Sequence, residues 1–204
     1  MTPSSYRAGG EGARVVFSIA SCDLGVLLVA ATARGLCLVT IADTTELAVT
    51  RLHTELPRAE ITRDDEQLGP LLADVLGRIE GDAPARDLPL DVQGTAFQRR
   101  VWEALIRIPR GQVRTYGEVA AAIGAPRAVR AVGSACGANP VPVVVPCHRV
   151  VPAAGGVGNY GLGPHRKEAL LAREGAEPPP HASGARGTRR PPHEPKATSP
   201  SATS

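Results

Sequence analysis

Residues 115–139 read TYGEVAAAIGAPRAVRAVGSACGAN, and this stretch decides the fold. Thr115 and Glu118 stand at capping-box spacing, so a helix is expected to begin between them. Tyr116, Val119, Ala120 and Ile123 then fall on one face, and Gly124 ends the helix. Pro126 suits the opening of a second helix. Two short helices joined by a tight turn make a helix-turn-helix unit. In the second helix Val129, Val132 and Cys136 recur at i, i+3 and i+7 and are expected to point inward, with Cys136 structural. Arg130, Gly133, Ser134 and Gly137 share the opposite, nearly flat side. Two glycines inside a helix cost about 1 kcal/mol each relative to alanine. Close approach of another surface to the helix backbone is one use for that cost. Tight helix packing is the competing use, and Arg130 in the middle of the face favours a ligand.

Working outward, Phe97, Val101, Leu105 and Ile108 predict a core-facing helix that begins after Gly94 and Thr95, with Thr95 able to cap and Trp102 packed. Further upstream, ARVVFSIA, GVLLVAAT and GLCLVTIA between residues 13 and 42 read as strands. Asp23-Leu24-Gly25 and Arg34-Gly35 are the turns between them. A helix from Thr45 to Leu56, an acidic patch, and an amphipathic helix near Leu68–Ile79 follow. Cys37, between two leucines, is a small core residue. Downstream, glycines mark a loop from Ala153 to Gly163, Pro164 opens the last helix and Gly175 stops it. The expected organisation is an α/β domain over 14–91, a helical domain over 92–176, and a disordered Pro/Ser/Arg tail over 177–204.

Hydrophobic residues make up 43% of the 204 residues and aromatic ones only 3%, so the core is built from Val, Leu, Ala and Ile. No apolar run approaches the roughly 18–20 residues that span a bilayer, and the first residues lack the apolar region of a signal peptide. The expected compartment is the cytoplasm, without membrane association. The net charge of +3 is unevenly spread: residues 1–91 hold 8 Lys and Arg against 14 Asp and Glu, and residues 92–175 hold 11 against 4. A basic C-terminal half beside an acidic N-terminal half suggests a polyanionic partner.

The stretch VVVPCHRV, residues 143–150, carries the chemistry. Cysteines at 22, 37, 136 and 147 form no C-x-x-C pair, which argues against a zinc knuckle and a disulfide scaffold. Cys147 and His148 lack further ligands at zinc spacing. A resolving partner for redox work is missing if Cys136 is buried. An inert core thiol fits poorly with His148 and Arg149 following at once. A nucleophile remains, with His148 as base. Neighbours on an extended segment point to opposite faces, so His148 needs a bend at Pro146 or a bridging water. A third group must orient the imidazole, and Glu174 is one candidate.

Taken together, NPVPVVVPCHRVV (139–151), TYGEVAAAIGAPRAVRAVGSACGANP (115–140), the GNY of 158–160 and RKEALLAREG (166–175) resemble the O6-alkylguanine-DNA alkyltransferases, the methylated-DNA–protein-cysteine methyltransferases. The match is close over roughly residues 90–175 and looser before them. The segment DLPLDVQGTAFQRRVWEALIRIP looks especially like the repair half of bacterial adaptive-response regulators. The cysteine-rich zinc domain that precedes that half in the regulators has no counterpart here, so a stand-alone repair protein is expected.

The resemblance implies a ribonuclease H-like N-terminal sheet domain and a winged-helix-like reader that binds double-stranded DNA in the minor groove as a monomer. No cofactor is expected, and no residue is assigned as a metal ligand. Cys147 would accept the alkyl group of O6-methylguanine, or of O4-methylthymine, in a single irreversible turnover. His148 would act through a water, Glu174 would polarise the imidazole, and Asn139 would hold the active-site turn. Tyr116 would help rotate the nucleotide and give a proton to the leaving base. Arg130 would fill the gap in the duplex, with Thr115, Ala128, Ala131, Gly133 and Ser134 on the DNA. Pro142, Val150, Tyr160 and Gly161 would meet the flipped guanine. Many members carry serine, or arginine and tryptophan, after the tyrosine, whereas this chain has Gly161, so a backbone amide is expected to replace the side chain. The competing readings are an alkyltransferase-like module that binds damage without transfer, a transcriptional regulator, and a cysteine hydrolase.

Overall fold

The computed structural model describes residue 2, residues 8–82 and residues 87–179. The expected tail lies outside the described residues from position 180 onward.

Three strands form an antiparallel meander: β1 (Arg14–Cys22), β2 (Gly25–Thr32) and β3 (Gly35–Ala42). The hairpins close with Cys22 opposite Gly25 and Thr32 opposite Gly35, at the expected turns. Helix α1 (Thr45–Glu55) follows, capped by Thr44. A short strand that the sequence reading missed, β4 (Glu60–Arg63), then pairs parallel to β1 from Arg14 opposite Glu60. It gives the order β3-β2-β1-β4. Helix α2 (Asp65–Glu80) starts at the cap Asp64 and ends on Gly81 in the left-handed conformation.

Alternate residues of β2 point to opposite faces, and both faces are buried. Leu28 and Ala30 pack with Ala48 and Leu52 of α1. Leu27, Val29 and Ala31 join Leu68, Val75 and Ile79 of α2 in a larger core. That core runs on without a break into α3 (Ala96–Ile106), α4 (Tyr116–Ala122), α5 (Val129–Gly137) and α6 (Pro164–Arg173). Val101, Leu105 and Ile108 take the expected inward positions, and Trp102 donates its indole N–H to the Ala135 carbonyl at 2.9 Å.

The outer edge of β3 is covered from the C-terminal side. Leu36 exchanges backbone bonds with Pro89 and Asp91, and Val39 N–H donates to the Pro140 carbonyl at 2.9 Å. Gly35 allows this: a Cβ there would sit 2.3 Å from the Pro89 oxygen. The second, two-stranded sheet pairs β5 (Arg114–Thr115) parallel with β6 (Val150–Val151).

Two expectations for α5 are corrected. Pro126 does not open the helix. Residues 125–128 form a turn closed by Ala128 N–H to the Ala125 carbonyl, and the helix starts at Val129. Val129 is 41% exposed, because it lies in the first turn beside this exposed corner, and Val132 and Ala135 make the inward stripe instead.

Candidate active site

The site is assembled by the small β5–β6 sheet. Thr115 pairs with Val151, so Tyr116 at the start of α4 comes to rest beside the single 3-10 turn Cys147–Arg149 that leads into β6. Thr115 caps α4 in a full capping box with Glu118. The 3-10 turn resolves the problem of neighbours on opposite faces: Cys147 and His148 do not lie on a strand, so both side chains are buried in one region.

Asn139 organises the turn ahead of the cysteine. Its Oδ1 accepts from Val141 N–H at 3.0 Å, and its Nδ2 donates to the Val145 carbonyl at 2.8 Å and to Cys147 Sγ at 3.1 Å. Val143, inside this turn, holds a φ of 74°, a strained value for a β-branched residue. Cys147 is 5% exposed. Burial pushes its thiol up, against lowering by the Asn139 hydrogen bond and the Lys167 charge. The resting group is therefore a thiol, and attack requires removal of its proton.

Behind it lies a relay. His148 is 1% exposed, and its Nε2 lies 3.0 Å from Glu174 Oε1 at the end of α6. Arg149 donates to both oxygens of the same carboxylate, at 2.9 and 2.8 Å, and to the Ile108 carbonyl at 2.7 Å. Burial alone would raise the Glu174 carboxyl, but the hydrogen bonds from His148 and Arg149 overcome it and hold it at about 2. Burial lowers His148 despite Glu174, so the imidazole is neutral. An ionised carboxylate only accepts, so Nε2 carries the hydrogen and Nδ1 keeps a lone pair. Nδ1 is buried and has no hydrogen-bond partner among the described residues, and no hydrogen bond joins the imidazole directly to Sγ.

In front of Cys147 is a cavity of about 410 Å³, lined by Tyr116, Gly133, Cys136, Gly137, Asn159, Tyr160 and Gly161. Tyr116 is half-buried, and burial raises its phenol. The Tyr160 hydroxyl is buried without a hydrogen bond of normal geometry. It still lies close enough to the thiol for the two to shift each other's ionisation. Cys136 is a correction: it lines this cavity and is not a purely structural core residue. The neighbouring glycines, 133 and 137, have no side chains to close the space over its sulfur. Arg130, Ala131 and Ser134 are exposed and Ala128 half-exposed on the same helix, beside the cavity mouth. Pro142 and Val150 are buried and do not line the cavity.

Lys167 was missed. It is 1% exposed, and its Nζ donates to the Val150 carbonyl at 2.5 Å. Burial drags its ammonium down to about 8, opposed by the two nearby thiols. The signal was available, since residues 167, 170, 171 and 174 share one face of α6, but a lysine in that series reads as surface. Among the described residues no group of three or more His, Cys, Asp or Glu is arranged to hold a metal ion. No helix among them is long and apolar enough to cross a membrane.

A family model described as "6-O-methylguanine DNA methyltransferase, DNA binding domain" matches residues 96–176. A methylated-DNA–protein-cysteine methyltransferase of Mycolicibacterium paratuberculosis is 51% identical over 121 residues, 59% of this chain and 68% of that protein. The chain belongs to the 6-O-methylguanine DNA methyltransferase family. The crystal structure of the Mycobacterium tuberculosis family member OGT in complex with DNA superposes with a TM-score of 0.67 at 37% identity, over 79% of this chain and 95% of that one. It shares the mixed α/β fold. The bifunctional transcriptional activator/DNA repair enzyme Ada of Escherichia coli is 40% identical over 174 residues, 85% of this chain. The chain spans 49% of the length of Ada, so it matches about half of that relative.

Proposed function

We propose that the chain repairs DNA by moving the methyl group of O6-methylguanine to its own Cys147. The observation that carries this reading is the pairing of a buried thiol with a neutral imidazole oriented by an ionised carboxylate, at the floor of a cavity that opens beside α5. O6 of guanine lies inside the base stack, so the nucleotide must be turned out of the duplex before the thiol can reach it. Arg130 on the exposed face of α5 is suited to fill the space left behind, with Thr115, Ala128, Ala131, Gly133 and Ser134 as the remaining minor-groove contacts. The basic charge of residues 92–175 supports duplex DNA as the partner.

The reaction is a displacement at carbon. His148 removes the Cys147 proton through Nδ1, by way of a water, while Glu174 balances the imidazolium and Arg149 keeps Glu174 in place. Sγ attacks the methyl carbon, the C–O bond breaks, and the guanine takes up a proton supplied by Tyr116. Tyr160 and the Gly161 amide frame the base, and the buried Pro142 and Val150 support the cavity wall from behind. The product thioether has no leaving group at neutral pH, so each molecule acts once. The architecture assigned is a ribonuclease H-like unit over 14–91 and a winged-helix-like unit over 92–176 whose α4–α5 pair is the helix-turn-helix, acting as a cytoplasmic monomer.

The test is intact mass after mixing with duplex DNA that holds one O6-methylguanine. A gain of about 14 Da on the Cys147 peptide, saturating at one per protein, is expected for covalent transfer. Tight lesion binding without a mass gain overturns transfer in favour of a damage-binding module.

A further inference from the structure

Arg166 stands next to Lys167 on α6 but points elsewhere. Its side chain is only 8% exposed, and each of its three nitrogens donates a hydrogen bond. Nη1 donates to the Leu162 carbonyl at 2.8 Å, Nε to the Leu24 carbonyl at 2.8 Å, and Nη2 to Asp43 Oδ1 at 2.5 Å. Leu162 belongs to the loop that carries Tyr160 and Gly161 into the Cys147 cavity. Leu24 lies in the β1–β2 turn and Asp43 just after β3. One planar guanidinium thus joins the substrate loop to two points of the N-terminal sheet. The sheet is shaped to receive it: Gly25 holds a φ of 119°, and a Cβ there would sit 2.3 Å from the Ala42 oxygen and 3.2 Å from Arg166 Nη2.

The loop needs such an anchor. Gly161 and Gly163 flank Leu162, and glycine leaves the backbone free. Besides Arg166, the tip is held by the buried Leu162 side chain, by Tyr160 packing edge-on against His148, and by Gly163 N–H to the Tyr160 carbonyl at 3.0 Å; none of these is a hydrogen bond to the N-terminal sheet. We infer that Arg166 is a positioning residue for the transfer reaction: with Asp43 and the Leu24 carbonyl it fixes the substrate loop, so the N-terminal half sets the geometry of the Cys147 cavity. The inference rests on the proposed methyl transfer. Lysine at 166 replaces a fixed fork by a single flexible ammonium and is not an equivalent.

The experiment is single-turnover transfer from an O6-methylguanine duplex, with the maximal rate separated from the half-saturating DNA concentration. Misplacement of about 1 Å can cost about 10²-fold in rate, so Arg166→Met should lower the maximal rate at least about tenfold. The half-saturating concentration, and the reaction of Cys147 with methyl methanethiosulfonate, should stay within about twofold. Arg166→Lys should recover part of the rate. Asp43→Asn, at an exposed carboxylate, should show the same split at smaller size, and it carries the test if Arg166→Met does not fold. A maximal rate within about twofold of wild type in both Arg166→Met and Asp43→Asn overturns the inference alone. So does a rate loss matched by an equal loss of thiol reactivity, because the defect is then in the thiol and not in the loop. Wild-type protein that accepts no methyl group overturns the proposed function first and this inference with it.

Discussion

Glu174 governs the pH behaviour of the site. Its carboxyl falls from an ordinary value of 4.5 to about 2 when folded. Its pairing therefore stabilises the fold fully above about pH 4.5, and that contribution is lost as pH falls towards 2. His148 is also lowered, by burial. It binds its proton less readily in the folded chain, so its contribution is complete above the ordinary 6.5 and lost on acidification below that value. Both groups act in the same direction, and the base is available at neutral pH. Single-turnover transfer rates against pH should show an acid limb centred below 6.5. Glu174→Gln should slow the plateau by about 10²-fold, because an amide no longer fixes Nε2 as the donor. A wild-type limb centred above 6.5 would contradict a buried neutral imidazole. Gly161 makes a second residue-scale case. A Cβ there meets nothing within 4 Å, so Gly161→Ser should fold normally. If the backbone amide already binds the base, the added hydroxyl changes the transfer rate by less than about tenfold, or 1.4 kcal/mol. A larger gain shows that the site lacked a donor.

Elements were legible where local chemistry declares itself. Strands β1–β3 alternate between two turns, and Thr95, Thr115, Pro164 and Gly175 mark helix ends by capping or by backbone preference, so all of these were read in place. Strand β4 was not, because EITR is mostly exposed and has no apolar alternation; its pairing with β1 is a tertiary event. The start of α5 was misread for a related reason. Proline favours the first helical position, but it also favours turns, and here the 125–128 turn took it. The consequence is measurable in chemical denaturation. Val132, fully buried, should lose about 2 kcal/mol on Val132→Ala. Val129, at 41% exposure, should change by less than about 0.5 kcal/mol on Val129→Ala. Equal losses would restore the original inward stripe. At the site itself, Cys147, His148 and Asn139 were readable from one short motif. Lys167, Arg166 and the cavity position of Cys136 were not, since each depends on which distant element covers the residue.

Across the whole molecule the sequence divides more sharply than the structure does. Charge splits the chain near residue 91 into acidic and basic halves, at the boundary expected between the two domains. The packing argues otherwise for stability. One core holds Leu27, Val29, Val39 and Ile41 of the sheet together with Val101, Leu105, Val132, Val141 and Leu170 of the C-terminal half. The edge of β3 is bonded to Pro89, Asp91 and Pro140, and Arg166 and Arg173 reach across to Asp43 and Asp23. Separating the halves would expose buried Leu and Val faces on both sides, each such side chain worth about 1.5–3 kcal/mol, and would break the bond that holds Pro140 beside the active-site turn. Apart from the cluster beneath α1 and a small one of Val151, Leu171 and Ala176, the buried apolar residues of both halves belong to that one core. The chain should therefore unfold in a single cooperative transition, with calorimetric and van't Hoff enthalpies equal. The loss of Trp102 fluorescence, which reports on the C-terminal half, should coincide with the loss of amide protection in strands β1–β3 followed by hydrogen exchange across the same transition. Two resolved transitions, or a Trp102 midpoint displaced from that of the sheet, would mean that the charge boundary is also a stability boundary, and that the cavity can form without its N-terminal support.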